Sequence, residues 1–174
     1  MVLTEDIKLP ENHELDVQEI NLTFPVLQAA AFHLGKFCED KNNEFMLCKT
    51  EEDDPRQCLT EGKQVTACAL EFFKKIKTKC YEEFKQYYNC IDKSSGNNSF
   101  SPCRKTQAVF DQCILSNMNI ERPAYGYFCE VKIHDTTRPK PKANVVDYPD
   151  ASVPYSKEEP LLPPKYGSRR LWVQ

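Results

Sequence analysis

Several features of an ordinary globular domain are scarce in this 174-residue sequence. Glycine occurs only five times and is scattered, so no glycine-rich phosphate loop or dinucleotide-binding turn can be formed. Lysine and arginine total 23 against 26 acidic residues, and this balance argues against a nucleic-acid partner, which requires a basic face. The apolar share is 40% even with tyrosine counted, below the roughly 45–50% typical of globular domains. We expect no large self-sufficient hydrophobic core.

Long hydrophobic runs and targeting signals are also missing. The longest weakly polar run, residues 24–34, has 11 residues, whereas a membrane-spanning helix needs roughly 20. The first 22 residues lack the basic and apolar regions of a secretory signal, and they contain no arginine, in which mitochondrial transit peptides are rich. We therefore expect no transmembrane segment and no cleaved targeting peptide.

The sequence contains no recognised catalytic motif. No G-x-S-x-G nucleophile motif occurs. His13, His33 and His134 are isolated from one another in sequence, and we expect each to be a surface or packing residue rather than a metal ligand. The sequence therefore predicts no catalytic residues, no metal site and no cofactor.

Cysteine, in contrast, is concentrated in one region. Eight of the nine cysteines lie between residues 38 and 113 and form four Cys-x9-Cys motifs: Cys38/Cys48, Cys58/Cys68, Cys80/Cys90 and Cys103/Cys113. The last two motifs repeat the first two with shifts of 42 and 45 residues. The three extra residues fall in a stretch rich in Ser, Asn and Gly, which reads as a turn. The pattern indicates a duplicated helical hairpin.

The spacing determines what each motif can bond. On a helix, two cysteines ten residues apart lie about 80° apart on one side but roughly 15 Å apart along the axis. A disulfide needs Cα atoms within about 7 Å, so each motif must pair with another motif. Zinc is a minor alternative, because zinc ligands usually come two to four residues apart, and buried free thiols are another. A redox enzyme would show Cys-x-x-Cys; the disulfides are interpreted as structural.

The short segments that connect the cysteine motifs favour one disulfide connectivity. Asp54-Pro55 and Ser101-Pro102 read as an N-cap followed by proline at the first helical position. Short connectors favour antiparallel helices, so, of three possible connectivities, the nested one is predicted. The predicted bonds are Cys48–Cys58 inside Cys38–Cys68, and Cys90–Cys103 inside Cys80–Cys113, with Cys129 unpaired. The seventh residue after each leading cysteine is apolar and lies on the cysteine side: Phe45, Val65, Tyr87 and Phe110.

Persistent disulfides require an oxidising compartment, yet no secretory signal is recognised. In these features the sequence resembles the twin Cys-x9-Cys proteins of the mitochondrial intermembrane space, which have the coiled-coil-helix-coiled-coil-helix (CHCH) fold. With two hairpins, a long N-terminal arm and a proline-rich tail, it resembles more closely the double-CHCH accessory subunits of respiratory complex I. The resemblance is carried by residues 29–38, 41–48, 51–77, 84–92, 103–115, 122–126 and 167–170.

The resemblance implies an all-α fold of two disulfide-stapled antiparallel hairpins in tandem. It also implies a non-catalytic structural or assembly subunit of mitochondrial complex I (NADH dehydrogenase), clamping the membrane arm on the intermembrane-space side in support of electron transfer from NADH to ubiquinone. Expected partners are other complex I subunits and, during import, the disulfide relay, with the chain peripheral to the inner membrane. The alternative is a free intermembrane-space metallochaperone or redox carrier, which would need adjacent or exposed cysteines, and only Cys129 is unpaired.

We divide the chain into five segments on the basis of these features. The division is an extended arm at 1–22, an N-terminal helix at 23–37, the first hairpin at 38–75, the second at 76–118 and an extended proline-rich tail at 119–174.

Eight of the twelve prolines lie after Ile120, and we expect this tail to lie across neighbouring subunits, a floppy tail being the alternative. The run of alanines at 29–31 is interpreted as helix propensity, with close approach of a partner helix as the alternative. Lys74, Lys75, Lys77 and Lys79 are interpreted as a solvated face, with acidic phospholipid headgroups as the alternative.

Overall fold

The computed structural model describes residues 9–140, and within this range the chain is helical or irregular, without strands. Six α-helices follow one another: α1 (Asn12–Leu15), α2 (Phe24–Phe37), α3 (Glu39–Glu52), α4 (Leu59–Lys79), α5 (Tyr81–Ser94) and α6 (Arg104–Met118). Short 3-10 turns cover Ser101–Cys103 and Tyr127–Cys129. The predicted fold class, two disulfide-bonded helical hairpins in tandem, is confirmed. Residues 1–8 and 141–174, with most of the proline-rich tail, lie outside the described residues.

A cysteine immediately precedes each of the four hairpin helices. Cys38, Cys58, Cys80 and Cys103 are the N-cap residues of α3, α4, α5 and α6. Their φ angles lie between −102° and −136° and their ψ angles between 20° and 35°, outside the helical region. The leading cysteine of every Cys-x9-Cys motif therefore marks a change of chain direction, and the second cysteine lies within the helix that follows.

The helix starts assigned to the two proline motifs were wrong. The structure begins α4 at Leu59, four residues after Pro55, and leaves residues 55–58 as a turn. The Asp54 carboxylate accepts the backbone N–H of Arg56 at 3.0 Å and pairs with its guanidinium at 2.6 Å, so Asp54 caps this turn rather than the helix. Pro102 likewise lies in a 3-10 turn before α6. The extra turn is the connector that reverses the chain between two bonded cysteines.

Helix α4 links the two hairpins. It has 21 residues, which corresponds to about 32 Å, and it continues without a break from Cys68 almost to Cys80. The boundary proposed after residue 75 therefore falls inside a helix. Because an unbroken helix resists bending, the two hairpins are held by a rigid connection rather than by a loop.

The main core is built by α2 packing on the second hairpin. Its fully or nearly fully buried members are Ala29, Ala30, Phe72, Ile76, Cys80, Phe84, Tyr87, Ile91, Cys103, Phe110 and Ile114. Ala29 and Ala30 have no exposed surface, and α2 makes its most extensive contacts with α5. The alanines therefore do permit close approach of another helix, and that helix belongs to the same chain. The N-terminal helix is a structural part of the second hairpin's core.

The first hairpin has almost no apolar core of its own. Between residues 38 and 68 the buried residues are Cys38, Cys48 and Cys58. Phe45 and Val65 are only half-buried, whereas their counterparts in the second hairpin, Tyr87 and Phe110, are completely buried. Disulfides take the place of a core in the first hairpin and supplement one in the second.

Candidate functional site

The eight motif cysteines come together in the structure in the four expected pairs. The Cα atoms are 6.0 Å apart in both Cys38–Cys68 and Cys48–Cys58. The corresponding distances are 5.9 Å for Cys80–Cys113 and 5.8 Å for Cys90–Cys103, all within the range that a disulfide tolerates. The connectivity in solution stays a prediction, which peptide mapping under non-reducing conditions tests.

Cys129 ends the second 3-10 turn as an exposed free thiol. Among residues 9–140, no cluster of three or more His, Cys, Asp or Glu side chains is arranged to hold a metal ion. None of the helices in that range is both long enough and apolar enough to cross a membrane.

After α6 the chain turns back onto the first hairpin. We call residues 127–138 the return segment. Gly126, with a φ of 88°, supplies the left-handed turn that starts it, a conformation that glycine adopts without a steric cost. The ring of Phe128 then covers Gly35, its Cζ lying 3.0 Å from the position that a Cβ there would take. Glycine at 35 is thus what allows Phe128 to seat against α2.

Glu39, at the start of α3, holds the first part of the return segment. Its carboxylate accepts hydrogen bonds from the Tyr127 hydroxyl at 2.7 Å and from the Lys132 ammonium at 2.7 Å. Lys36 also bonds Glu39, at 2.7 Å, and contacts the Tyr127 hydroxyl. Hydrogen bonds from Lys132 and then Lys36 lower the pKa of Glu39 from 4.5 to about 2.

Glu44 and Glu51, further along α3, hold the second part. Glu44 bonds His134 at 2.7 Å, Thr136 at 2.7 Å and Arg138 at 2.5 Å. Arg138 also donates to Glu51 at 3.0 Å. The bonds from Arg138 and Thr136 lower the pKa of Glu44 from 4.5 to about 2. The return segment is therefore attached to α3 by charged side chains along most of its length.

This attachment was not anticipated from the sequence, which predicted a tail lying on neighbouring subunits. The described part of the tail, up to residue 140, contacts the chain's own first hairpin; contact of the tail with neighbouring subunits stays a prediction, and residues 141–174 lie outside the described residues. A signal was available: Lys132, His134, Thr136 and Arg138 are polar at every second position, which places them on one side of an extended chain. Their acidic partners on α3 lie about 90 residues away, and such a distance leaves no local pattern to read.

The core between α2 and the second hairpin contains a buried polar group. His33 of α2 has no exposed surface, and its Nε2 lies 3.4 Å from Oδ1 of Asp111 without forming a hydrogen bond. Arg122 donates to the same Asp111 oxygen at 3.1 Å. Burial, which the Asp111 charge only partly offsets, lowers the pKa of His33 from 6.5 to about 4. His33 is therefore a neutral packing residue, consistent with its predicted role.

The other residues singled out by sequence occupy the surface. His13 is exposed beside Glu11, and His134 belongs to the return segment. Within the lysine cluster, Lys75 pairs with Glu71 at 2.7 Å, and Lys79 donates to the carbonyl of Asn117 at 2.7 Å. Lys74 and Lys77 are exposed at an apolar groove between α4 and α5. Nothing in these contacts forms a catalytic arrangement.

Comparison with known proteins identifies the family. The CHCH domain model matches residues 80–116, which are the second hairpin. The NADH dehydrogenase (ubiquinone) 1 alpha subcomplex subunit 8-B of Arabidopsis thaliana is 37% identical over 90 residues, covering 52% of this chain and 83% of the relative. Subunit 8-A of the same plant is 36% identical over 90 residues, covering 52% of this chain and 82% of the relative. The chain belongs to the alpha subcomplex subunit 8 family.

A third relative extends the match beyond the hairpins. The NADH-ubiquinone oxidoreductase 20.8 kDa subunit of Neurospora crassa is 30% identical over 123 residues, or 70% of this chain. The match spans 66% of the length of the Neurospora protein. Similarity to these NADH dehydrogenase subunits therefore covers more of the chain than the second hairpin that the CHCH model matches.

Proposed function

We propose that this chain is a non-catalytic structural subunit of mitochondrial respiratory complex I, the NADH dehydrogenase. It clamps the membrane arm of the complex on the intermembrane-space side and supports electron transfer from NADH to ubiquinone by holding other subunits in place. The observation that carries the proposal is family membership: the relatives are named as subunits of NADH dehydrogenase. The disulfide-bonded hairpins supply the rigid body that such a role needs.

The distribution of exposed apolar side chains supports contact with partners. Large apolar residues are more than half exposed at Leu9, Leu15, Phe24, Met46, Val109, Tyr125, Val131 and Ile133. Single exposed apolar residues are ordinary, but Val131 is 100% exposed and Ile133 94% exposed within one short segment. Clustered apolar exposure of this kind marks surfaces that a partner covers. A subunit of a larger assembly accounts for it.

The disulfides indicate which cellular compartment the protein occupies. Bonds of this type persist only under oxidising conditions, which agrees with the intermembrane space and with oxidation by a disulfide relay during import. We propose peripheral attachment to the inner membrane through other subunits. The alternative role of free metallochaperone or redox carrier has only Cys129 as an unpaired thiol, and we do not favour it.

The test is a blue-native gel of mitochondria carrying the full chain with an epitope tag. The proposal predicts that the tag co-migrates with NADH dehydrogenase activity, and that protease removes the tag only after the outer membrane is opened. Migration as a free small species would contradict the role in complex I. Protection of the tag in mitochondria whose outer membrane is open would contradict the proposed side of the membrane.

A further inference from the structure

The return segment presents two different faces. The side chains of Lys132, His134, Thr136 and Arg138 contact α3, while the residues that alternate with them (Val131, Ile133, Asp135 and Thr137) are exposed, Val131 at 100% and Ile133 at 94%. Alternation with a period of two is the property of an extended chain. One face of this segment is thus used to attach it to its own hairpin, and the other face, apolar at 131 and 133 and polar at 135 and 137, remains uncovered.

The backbone of the same segment is also open. Within residues 9–140, no backbone N–H from 130 to 137 donates a hydrogen bond and no carbonyl from 130 to 137 accepts one. An extended chain in this condition is equivalent to an edge strand, which offers a row of donors and acceptors to another extended chain. Because the side chains already fix the segment in place, a pairing strand would not have to order it.

A groove runs beside this edge. Its volume is about 420 Å³, and it lies between the return segment and one face of α3. The α3 side is formed by Glu39, Asn42, Asn43, Met46, Leu47 and Thr50. These positions cover about 17 Å of helix, the length of about five residues of extended chain.

The floor of the groove has an apolar centre. Met46 is 56% exposed and Phe128 is 49% exposed, and both line the groove. On either side, Asn42, Asn43 and Thr50 offer amide and hydroxyl groups to a polar backbone. A lipid acyl chain would leave those groups and the open backbone edge without partners, whereas a polypeptide satisfies both.

We propose that this groove binds an extended segment of another subunit, which adds as a β-strand to residues 130–137 and places an apolar side chain between Met46 and Phe128. The inference rests on the proposed function, because it takes the partner from the same assembly. It corresponds to β-strand addition, in which main-chain hydrogen bonds supply affinity and alternate side chains supply specificity.

Hydrogen exchange tests the backbone pairing. Amides from 130 to 137 are compared between the full chain alone and the full chain in the isolated complex. We expect rapid exchange in the free chain and, in the complex, slowing of about 100-fold or more at alternate amides, as for a paired edge. Unchanged exchange of these amides in the complex would overturn the proposal, and so would equal slowing of every amide without alternation.

Site-specific crosslinking tests the occupant. A photo-reactive amino acid replaces Met46 in the groove or, as control, Val109, which is 53% exposed on α6. We expect the Met46 probe in the assembled complex to form a crosslink to an extended segment of a different polypeptide. Crosslinking only to lipid, to a second copy of this chain or to another part of the same chain would overturn the assignment, as would no crosslink at 46 when the probe at 109 reacts.

Introducing a charge on the groove floor distinguishes a failure of this inference from a failure of the proposed function. Met46 is exposed, so Met46→Lys leaves the hairpin folded, and Val109→Lys is the matched control. We expect Met46→Lys to reduce the amount of chain bound in the complex at least about tenfold relative to Val109→Lys, since it places a charge in an apolar contact. If wild type binds and both variants bind equally, the groove is not the binding site and the proposed function stands. If wild type does not co-migrate with the complex, the proposed function itself fails.

Discussion

Arg138 donates a hydrogen bond from its guanidinium Nε to Oε1 of Glu44 at 2.5 Å, joining two residues that are 94 positions apart. The bond fixes the chain beyond the second hairpin to a helix of the first. Glu44 also accepts from Thr136 and bonds His134, so one carboxylate organises the whole second part of the return segment. The two hairpins are therefore connected to each other at two places, by α4 and by the return segment.

Replacing Glu44 by glutamine tests that link. Glu44→Gln keeps the shape of the side chain but removes the charge that Arg138 and His134 face. Because the carboxylate is only about one-fifth exposed, we expect the attachment to weaken by about 1–2 kcal/mol. Trypsin cleavage after Lys132 should then be about tenfold faster. Asp40→Asn, an exposed change on the same helix, is the control, and equal cleavage rates in the two variants would contradict the assignment.

The pKa of His33 predicts a specific dependence of stability on pH. Burial lowers the pKa of His33 to about 4, below the value of 6.5 in the unfolded chain. The unfolded state therefore binds more protons between these values, and the free energy of unfolding decreases as the pH falls from 6.5 toward 4.

Between pH 6.5 and 5 this group accounts for a loss of about 1–2 kcal/mol. Urea unfolding with the disulfides intact measures that loss, and His33→Gln is the comparison. The variant should lose about 1–2 kcal/mol less than the wild type over the same interval. The same slope in both proteins would show that His33 is not the titrating group.

The two outer disulfides are predicted to differ in what they support. Cys38–Cys68 and Cys80–Cys113 close similar lengths of chain, with separations of 30 and 33 residues. Each is therefore worth about 3.7 kcal/mol in the chain-entropy model. Replacing both cysteines of the first bond by serine leaves a hairpin without an apolar core, whereas the second hairpin retains Tyr87 and Phe110.

Hydrogen exchange of the helix amides distinguishes the two cases. In Cys38→Ser/Cys68→Ser we expect α3 to lose protection by about 100-fold or more, because local unfolding then has little apolar burial to oppose it. In Cys80→Ser/Cys113→Ser, α5 and α6 should retain most of their protection. Equal losses in the two variants would contradict the contrast between a disulfide-dependent and a core-supported hairpin.

Gly35 and Phe128 provide a test of close packing. Glycine inside a helix is about 1 kcal/mol less favourable than alanine, so Gly35→Ala would ordinarily stabilise α2. Here the new Cβ would lie 3.0 Å from the Phe128 ring, and the ring has to move. We expect Gly35→Ala to give no gain in the wild type but a gain of about 1 kcal/mol when Phe128 is alanine. A similar gain in both backgrounds, measured by urea unfolding, would show that the two residues do not interact.

The sequence predicted the hairpins because its information there is local and repeated. Identical spacing at four motifs defines where cysteines lie on a helix, and the spacing alone excludes bonds within a motif. Asp54-Pro55 and Ser101-Pro102 predict helix starts, and these starts lie too early because a turn precedes α4 and α6. The burial of Ala29 and Ala30 against α5, and the bonds from Arg138 and His134 to Glu44, join segments far apart in the chain. Such contacts depend on tertiary geometry that no local pattern records.

The central claim, a structural and non-catalytic subunit of complex I, is tested most directly by depleting this chain in mitochondria. The measurement is the NADH:ubiquinone turnover per assembled complex together with the amount of complex assembled. The account predicts that the assembled amount falls and that re-expression of the full chain restores it, while each remaining complete complex turns over at the normal rate. A normal amount of assembled complex with a reduced turnover per complex would contradict the account.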